Sequence, residues 1–205
     1  MAPGMLKSPM LQAHARLIPL LLAFALTSCG LASRAQMTDI AGVMPRLSFH
    51  MTRANDGASV SNDDYRGKIV VLYFGYTHCP DECPTTLANL ATALQRMGAQ
   101  ASEVRILFVT VDPQRDTNSI LKSYVQAFAP EIDGLRGSDD AVAALARRYR
   151  VIYAVTPDSP GHPYSVTHSA SVFFFDSTGR ARFVTMSTDN TAEIAGHIGA
   201  LVAGR

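Results

Sequence analysis

The sequence has little net charge and no concentration of basic residues. Eighteen Lys and Arg are balanced by seventeen Asp and Glu, the formal net charge is +1 at pH 7, and charged residues make up only 17% of the chain. A protein that binds nucleic acid through its phosphates needs a basic surface. The sequence offers no such patch, so we expect no nucleic-acid partner.

The chain also lacks internal repeats, low-complexity tracts and an apolar run long enough to cross a bilayer. The apolar run at residues 17–26 follows a weakly basic start and has the length of a signal-peptide core, whereas a spanning helix needs about 20 residues. Without this leader roughly 175 residues remain, which is the size of one ordinary domain. We therefore expect an exported, single-domain protein.

The leader ends in Leu26-Thr27-Ser28-Cys29-Gly30. This segment resembles the lipobox of bacterial lipoproteins, in which cleavage precedes a lipidated cysteine. The resemblance implies a lipid anchor on Cys29 that holds the protein at the periplasmic face of a bacterial membrane. An ordinary cleaved signal, with Cys29 merely nearby, is the alternative. We divide the chain into a signal peptide (1–28), a lipidated cysteine with a flexible tether (29–40) and a folded domain (41–205).

Cysteine is scarce, with three residues in all. If Cys29 carries the lipid, the domain keeps only Cys79 and Cys83. An exported chain meets an oxidising compartment, in which such a pair tends toward a disulfide. A structural bridge that closes so short a loop would stabilise the fold only weakly. The pair is therefore expected to be protected, kept reduced by a partner, or used in redox cycling.

The pair follows a predicted strand and precedes a predicted helix. Residues 69–74 form a short, β-branched apolar run typical of a buried strand. After Pro84, apolar residues recur at helical spacing. Proline is favoured at the first helical position, so we predict a helix over residues 84–97 with Cys83 at its N-cap. Because the helix dipole lowers the pKa of nearby thiols, we expect both sulfurs to ionise readily.

Residues 104–111 have the pattern of a second buried strand, which completes a right-handed βαβ unit with parallel strands. The carboxyl ends of such strands meet at one edge of the sheet, where sites form in α/β proteins. Asp112 directly follows the second strand and should lie near Cys79 and Cys83. We expect Asp112 to support the site or partner docking rather than to bind metal.

The rest of the pattern predicts an α/β, thioredoxin-like fold: a central mixed sheet flanked by helices, with an N-terminal β-hairpin extension and a helical insertion. Further strands are predicted at 47–50, 58–60, 151–155, 169–175 and 181–186. Further helices are predicted after Asp116 or Thr117, after Ser138, and after Asn190 with Glu193. The strand at 169–175 would run antiparallel to its neighbour, which places His168 opposite the two cysteines.

Three segments carry a resemblance to a known family: Tyr73-Phe74-Gly75-Tyr76-Thr77-His78-Cys79-Pro80-Asp81-Glu82-Cys83-Pro84, Val109-Thr110-Val111-Asp112-Pro113-Gln114-Arg115-Asp116-Thr117, and His168-Ser169-Ala170-Ser171. Together they resemble the SCO/SenC family over nearly the whole mature chain. The resemblance implies that Cys79, Cys83 and His168 bind copper, as Cu(I), with Cu(II) left open. It also implies a role in assembling the copper centre of cytochrome c oxidase. The implied partners are the copper-bearing oxidase subunit and a copper donor or thiol reductant.

The ligand types agree with copper. Two thiolates and one imidazole are soft to borderline ligands, which select Cu(I) over hard cations. Structural zinc generally takes four protein ligands, and only three are available in this pattern. Of the other histidines, we expect His78 to lie at the surface or to support the site, and His50, His162 and His197 to be surface or core residues.

A rival interpretation is a thiol-disulfide oxidoreductase that acts on cysteines of a cuproprotein or in redox signalling, with Cys79 attacking and Cys83 resolving. The three residues between the cysteines depart from the usual C-x-x-C spacing. Thioredoxins also place a cis-proline opposite the pair, where this chain has Thr167-His168-Ser169. A thiol peroxidase is disfavoured because the P-x-x-x-T-x-x-C pattern is absent around both cysteines.

Overall fold

The computed structural model describes residue 1 and residues 37–161 and 164–204. The predicted signal segment beyond Met1, the predicted lipidation site Cys29 and His162 lie outside the described residues. No helix in the described ranges combines the length and the apolar character needed to span a bilayer.

Strands and α-helices alternate in the middle of the described chain, and runs of strands precede and follow that part. The strands are β1 (Thr38–Asp39), β2 (His50–Arg53), β3 (Ser59–Ser61), β4 (Ile69–Gly75), β5 (Val104–Thr110), β6 (Ile132–Arg136), β7 (Tyr153–Thr156), β8 (Ser165–His168), β9 (Val172–Phe175) and β10 (Ala181–Thr185). The α-helices are α1 (Glu82–Met97), α2 (Asn118–Gln126), α3 (Asp139–Arg148) and α4 (Thr191–Ala203). Short 3-10 helices occupy Asn62–Tyr65 and Gly98–Glu103.

The described strands form a mixed sheet in the order β1-β10-β9-β4-β5-β6-β2-β3, and β7 and β8 form a separate antiparallel pair. Strands β4, β5 and β6 are parallel to one another, whereas β9 runs antiparallel to β4. The sheet is flanked by helices, and the order confirms the thioredoxin-like fold with its hairpin extension at β2 and β3. The carboxyl ends of β4 and β5 therefore meet at one edge, next to the start of β9.

The sheet separates two apolar cores. All seven residues of β4 are buried, as expected for a parallel strand covered on both faces. Helices α1, α2 and α4 cover one face through residues such as Leu90, Leu121 and Ile198. Helix α3 and the segment before β2 cover the other face through residues such as Leu145 and Phe49. The edge where β4 and β5 end is thus held by strands that are almost entirely buried.

Three of the predicted helix caps are confirmed. The Thr117 hydroxyl accepts from the amide of Ile120, and the Ser138 hydroxyl caps α3 in the same way. Asn190 accepts from the amide of Glu193, and its side-chain amide donates to the Glu193 carboxylate at 3.0 Å. The prediction for α1 was wrong at its start: the N-cap is Asp81, so Cys83 lies inside the first turn.

The strand boundaries differ from the prediction where side-chain alternation is weak. Strand β2 begins at His50 rather than ending there, and β9 begins only at Val172. Strands β1, β6 and β8 were not predicted. Thr38–Asp39 lie within the predicted tether, yet they pair with β10, so this part of the tether belongs to the sheet. His168 ends β8 and does not directly precede β9.

Candidate metal centre

The two cysteines lie on the loop and helix start that follow β4. The Cys79 amide donates to the Tyr76 carbonyl at 3.3 Å, which closes the loop, and the Cys83 amide donates to Cys79 Sγ at 3.3 Å. Cys83 is fully buried, whereas Cys79 is partly exposed. Both are free thiols in this structure.

Gly75, the last residue of β4, makes room for the buried sulfur. A Cβ at this position would lie 2.8 Å from Cys83 Sγ and 2.5 Å from a ring carbon of Phe108. Both separations are well below a normal van der Waals contact. Only glycine therefore lets the first turn of α1 pack this closely against the end of the strand.

The third candidate ligand, His168, lies on the separate pair of strands β7 and β8. His168 Nε2 lies 3.2 Å from Cys83 Sγ. Its Nδ1 lies 3.2 Å from the Ser169 carbonyl oxygen, to which only a protonated Nδ1 can donate. This hydrogen bond leaves the Nε2 lone pair directed at the sulfur. The rings of Tyr73 and Tyr76 contact the imidazole edge-on, with centroids 6.0 and 5.9 Å away.

One ligand atom each of Cys79, Cys83 and His168 lies within 4.8 Å of the other two. The structure thus brings together the three residues that the sequence singled out, and it does so from α1, the preceding loop and β8. The described histidines His50, His78 and His197 are not part of this group. His78 is exposed beside Asp116, and His197 packs on the Phe183 ring with centroids 4.9 Å apart.

The electrostatics of the site favour neutral groups in the metal-free protein. Burial lowers the pKa of His168, so the imidazole is held neutral. Burial raises the pKa of the Cys83 thiol to about 12, and the nearby Cys79 adds to the increase. The prediction that both sulfurs ionise readily is therefore wrong for Cys83. The loss of hydration inside the first turn outweighs the helix dipole, which amounts to about half a charge.

The loop before Cys79 is held by Asp116, which sequence reasoning considered only as a helix cap. Its fully buried carboxylate accepts from the Thr77 amide at 3.0 Å, the Thr77 hydroxyl at 2.5 Å and the Thr110 hydroxyl at 2.6 Å. Asp116 thereby ties the cysteine loop to the end of β5. The signal for this role was the position of Asp116 just past that strand, on the same edge as the cysteines.

Asp112 is buried but does not belong to the ligand group. Its carboxylate accepts from the Tyr164 hydroxyl at 2.7 Å and from Nε of Arg115. The Arg115 guanidinium in turn lies over the Tyr164 ring, 3.9 Å from its centroid. Asp112 thus contacts Tyr164 and Arg115, and its role as a supporting residue stays a prediction.

The arrangement can hold a soft metal ion. Two sulfurs and one nitrogen converge from different elements, the nitrogen is unprotonated, and the partly exposed Cys79 leaves one side open to solvent. Metal ligands are deprotonated on binding, so an ion would displace the thiol protons. Soft thiolate ligands together with one imidazole match the preferences of Cu(I).

Comparisons with known proteins agree with this geometry. The family model described as SCO1/SenC matches residues 47–203. The protein described as SCO2 homolog, mitochondrial, of Bos taurus is 40% identical over 136 residues, which are 62% of this chain and 51% of that protein. The chain spans about half the length of the curated relatives it matches.

Two solved structures share the fold. Arabidopsis thaliana ScoI with copper bound has a TM-score of 0.70 at 30% identity, covering 78% of this chain and 99% of that one. Bradyrhizobium japonicum ScoI with copper bound has a TM-score of 0.68 at 34% identity, covering 76% and 98%. Since the family model also covers most of the described residues, the chain belongs to the SCO1/SenC family.

Proposed function

We propose that this protein is a copper metallochaperone that binds Cu(I) through Cys79, Cys83 and His168 and assists assembly of the copper centre of cytochrome c oxidase. The observation that carries the proposal is the convergence of the two sulfurs and the imidazole nitrogen within 4.8 Å of one another. The copper-bound ScoI structures, which share the fold, support the choice of metal.

The donor set suits a carrier better than a permanent structural site. Cu(I) accepts three ligands of this type, whereas structural zinc would lack its fourth protein ligand. The imidazole is already oriented by its hydrogen bond to the Ser169 carbonyl, so little ordering accompanies its coordination. Cys79 is partly exposed, which lets a ligand from another protein approach the ion and replace one bond at a time.

The wider setting of the proposal rests on the sequence. The lipobox around Cys29 supports a lipid-anchored protein on the periplasmic face of a bacterial membrane. The recipient would be the copper-bearing subunit of the oxidase, and a copper donor or a thiol reductant would load or reduce the pair. Asp112 and Asp116 would support the site, because their buried carboxylates accept hydrogen bonds from the Tyr164 hydroxyl and the Thr77 amide.

A second function, thiol-disulfide exchange, is favoured by one observation. Cys79 is partly exposed and Cys83 is buried, which is the asymmetry expected of an attacking and a resolving thiol. In this reaction Cys79 would attack a target disulfide, form a mixed disulfide, and release the reduced target when Cys83 attacks Cys79. Such a reduction could prepare the cysteines of a cuproprotein for metal.

Anaerobic Cu(I) titration of the reduced domain, with metal analysis, tests the main proposal. We expect one Cu(I) per chain, tight binding, and loss of tight binding in Cys83→Ser. A stoichiometry near zero would refute the carrier function and leave thiol-disulfide exchange. Turnover with a disulfide substrate that is abolished by either Cys→Ser change, but unaffected by His168→Ala, would establish that second function.

A further inference from the structure

His168 lies on a strand pair that is not part of the main sheet. Strands β7 and β8 hydrogen-bond to each other, and the register pairs Tyr153 with His168. Most of their residues are exposed or half-buried, and Val166 alone among them is buried. An isolated two-stranded pair is only marginally stable in water. The position of His168 must therefore depend on the contacts that attach this pair to the body of the protein.

Asp112, Arg115 and Tyr164, which we call the clasp, provide one attachment. Tyr164 directly precedes β8, and its hydroxyl donates to the buried carboxylate of Asp112 at 2.7 Å. Arg115 binds the other oxygen of the same carboxylate and stacks on the Tyr164 ring. Tyr164 is thereby fixed both through its hydroxyl and through its ring face.

A second attachment lies nearer to the histidine. The Tyr76 hydroxyl donates to the Val166 carbonyl at 3.2 Å, and the Arg115 guanidinium lies 5.9 Å from the Tyr76 ring centroid. Arg115 therefore contacts residues on both sides, Tyr164 beside the strand pair and Tyr76 in the cysteine loop. The clasp thus joins the element that carries His168 to the element that carries Cys79.

We propose that Arg115 and Tyr164 are positioning residues that fix His168 against Cys83 and thereby slow the release of Cu(I). The part that concerns copper rests on the proposed function, but the positioning of His168 does not. His168 is four positions after Tyr164, at the far end of the short strand β8, so we expect movement of Tyr164 to displace the imidazole. Hydrogen bonds to charged groups are among the stronger polar contacts. Because the strand pair is mostly exposed, it buries little apolar surface that could compensate for the loss of such a bond.

The test compares Tyr164→Phe with Tyr153→Phe. The first change removes only the hydroxyl that binds Asp112. The second removes a hydroxyl on the same strand pair that makes no hydrogen bond to a described residue, so it controls for the chemistry of the change. Melting temperatures of both variants would show that each remains folded.

Two measurements separate positioning from copper binding. In the metal-free reduced protein, the rate at which diethyl pyrocarbonate modifies His168 is followed by peptide mass spectrometry. In the copper-loaded protein, the rate of Cu(I) release to a chelator is followed by absorbance, in the wild type and in a His168→Ala background. We expect Tyr164→Phe to increase both rates about tenfold over Tyr153→Phe, and to leave release unchanged once His168 is absent.

The outcomes are decisive in each direction. Equal modification rates in Tyr164→Phe and Tyr153→Phe would overturn the positioning role, whatever the protein does with copper. If Tyr164→Phe accelerates release as strongly in the His168→Ala background, the hydroxyl acts other than through the imidazole and the proposal fails. If the protein does not bind copper but His168 is modified faster in Tyr164→Phe, the positioning role of the clasp is supported and the carrier function is refuted.

Discussion

His168 Nε2 lies 3.2 Å from Cys83 Sγ, although 85 residues separate the two in the chain. The contact joins the first turn of α1 to the end of β8. Burial lowers the pKa of His168 and raises that of Cys83, so a neutral imidazole faces a neutral thiol across this contact. A metal ion that binds here must therefore displace the Cys83 thiol proton, whereas the imidazole nitrogen is already unprotonated.

Replacing His168 by Ala should weaken Cu(I) binding strongly while leaving the dithiol able to oxidise. The change removes one of three ligands, and even loss of a group that only orients a ligand lowers metal affinity by about 10–100-fold. Competition against a Cu(I) chelator measures the affinity, and thiol counting after exposure to oxidised glutathione measures oxidation. His50→Ala, which alters an exposed histidine outside the ligand group, is the control. Equal copper affinity in the two variants would exclude His168 as a ligand.

Cu(I) affinity should increase with pH between 7 and 9. In the metal-free protein the pKa of Cys83 is raised to about 12, so this thiol stays protonated over the whole range and must release its proton when copper binds. His168, with a lowered pKa, is already neutral and adds no proton release. The Cys83 proton alone should raise the apparent association constant about tenfold per pH unit. Chelator competition at several pH values measures the slope, and an affinity independent of pH would contradict the raised pKa.

Replacing Asp116 by Ala should destabilise the fold and disturb the cysteine loop. The buried carboxylate accepts from two groups of Thr77 and from the Thr110 hydroxyl, and its loss leaves these donors without their partner. Hydrogen bonds to charged groups contribute about 1.5–3 kcal/mol each, and bonds that share one carboxylate are not additive, so a loss of at least about 3 kcal/mol in the free energy of unfolding is expected. Urea denaturation measures it. Asp63→Ala, at an exposed carboxylate, should cost under about 1 kcal/mol. Similar losses in both variants would show that Asp116 does not hold the loop.

The βαβ core was predictable because its signals are local. Strand β4 is a continuous apolar run, α1 repeats its apolar residues at helical spacing, and Thr117 and Ser138 are strong helix caps. Strand β6 escaped prediction because Asp133 and Gly134 interrupt its apolar pattern. Contacts with distant residues explain why Asp133 and Gly134 occupy this strand. The Tyr65 hydroxyl donates to the buried Asp133 carboxylate at 2.9 Å, and a Cβ on Gly134 would lie 2.6 Å from Leu121 Cγ.

The sequence predicted which residues form the site, but it predicted only in part which elements bring them together. Topology alone placed His168 opposite the cysteines, but the route was wrong, since the residue ends β8 and does not open β9. Strand β8 is short and mostly exposed, so it lacks the apolar alternation that marks a strand. The protonation of Cys83 was mispredicted because the helix dipole can be inferred from local sequence, whereas the burial of Cys83 against the end of β4 depends on tertiary packing.

Replacing Gly75 by Ala should damage both the fold and the site. The added Cβ would lie 2.5 Å from a Phe108 ring carbon and 2.8 Å from Cys83 Sγ, so the ring or the first turn of α1 must move. Overpacking of this kind costs about 1–3 kcal/mol, and displacement of Cys83 should also weaken Cu(I) binding. Gly199→Ala is the matched control: it lies within α4, has no atom within 4 Å of the new Cβ, and should stabilise the protein by about 0.5–1 kcal/mol. Denaturation and chelator competition on both variants measure the effects. If Gly75→Ala binds Cu(I) as tightly as the wild type, the close packing at this strand end does not set the position of the buried sulfur.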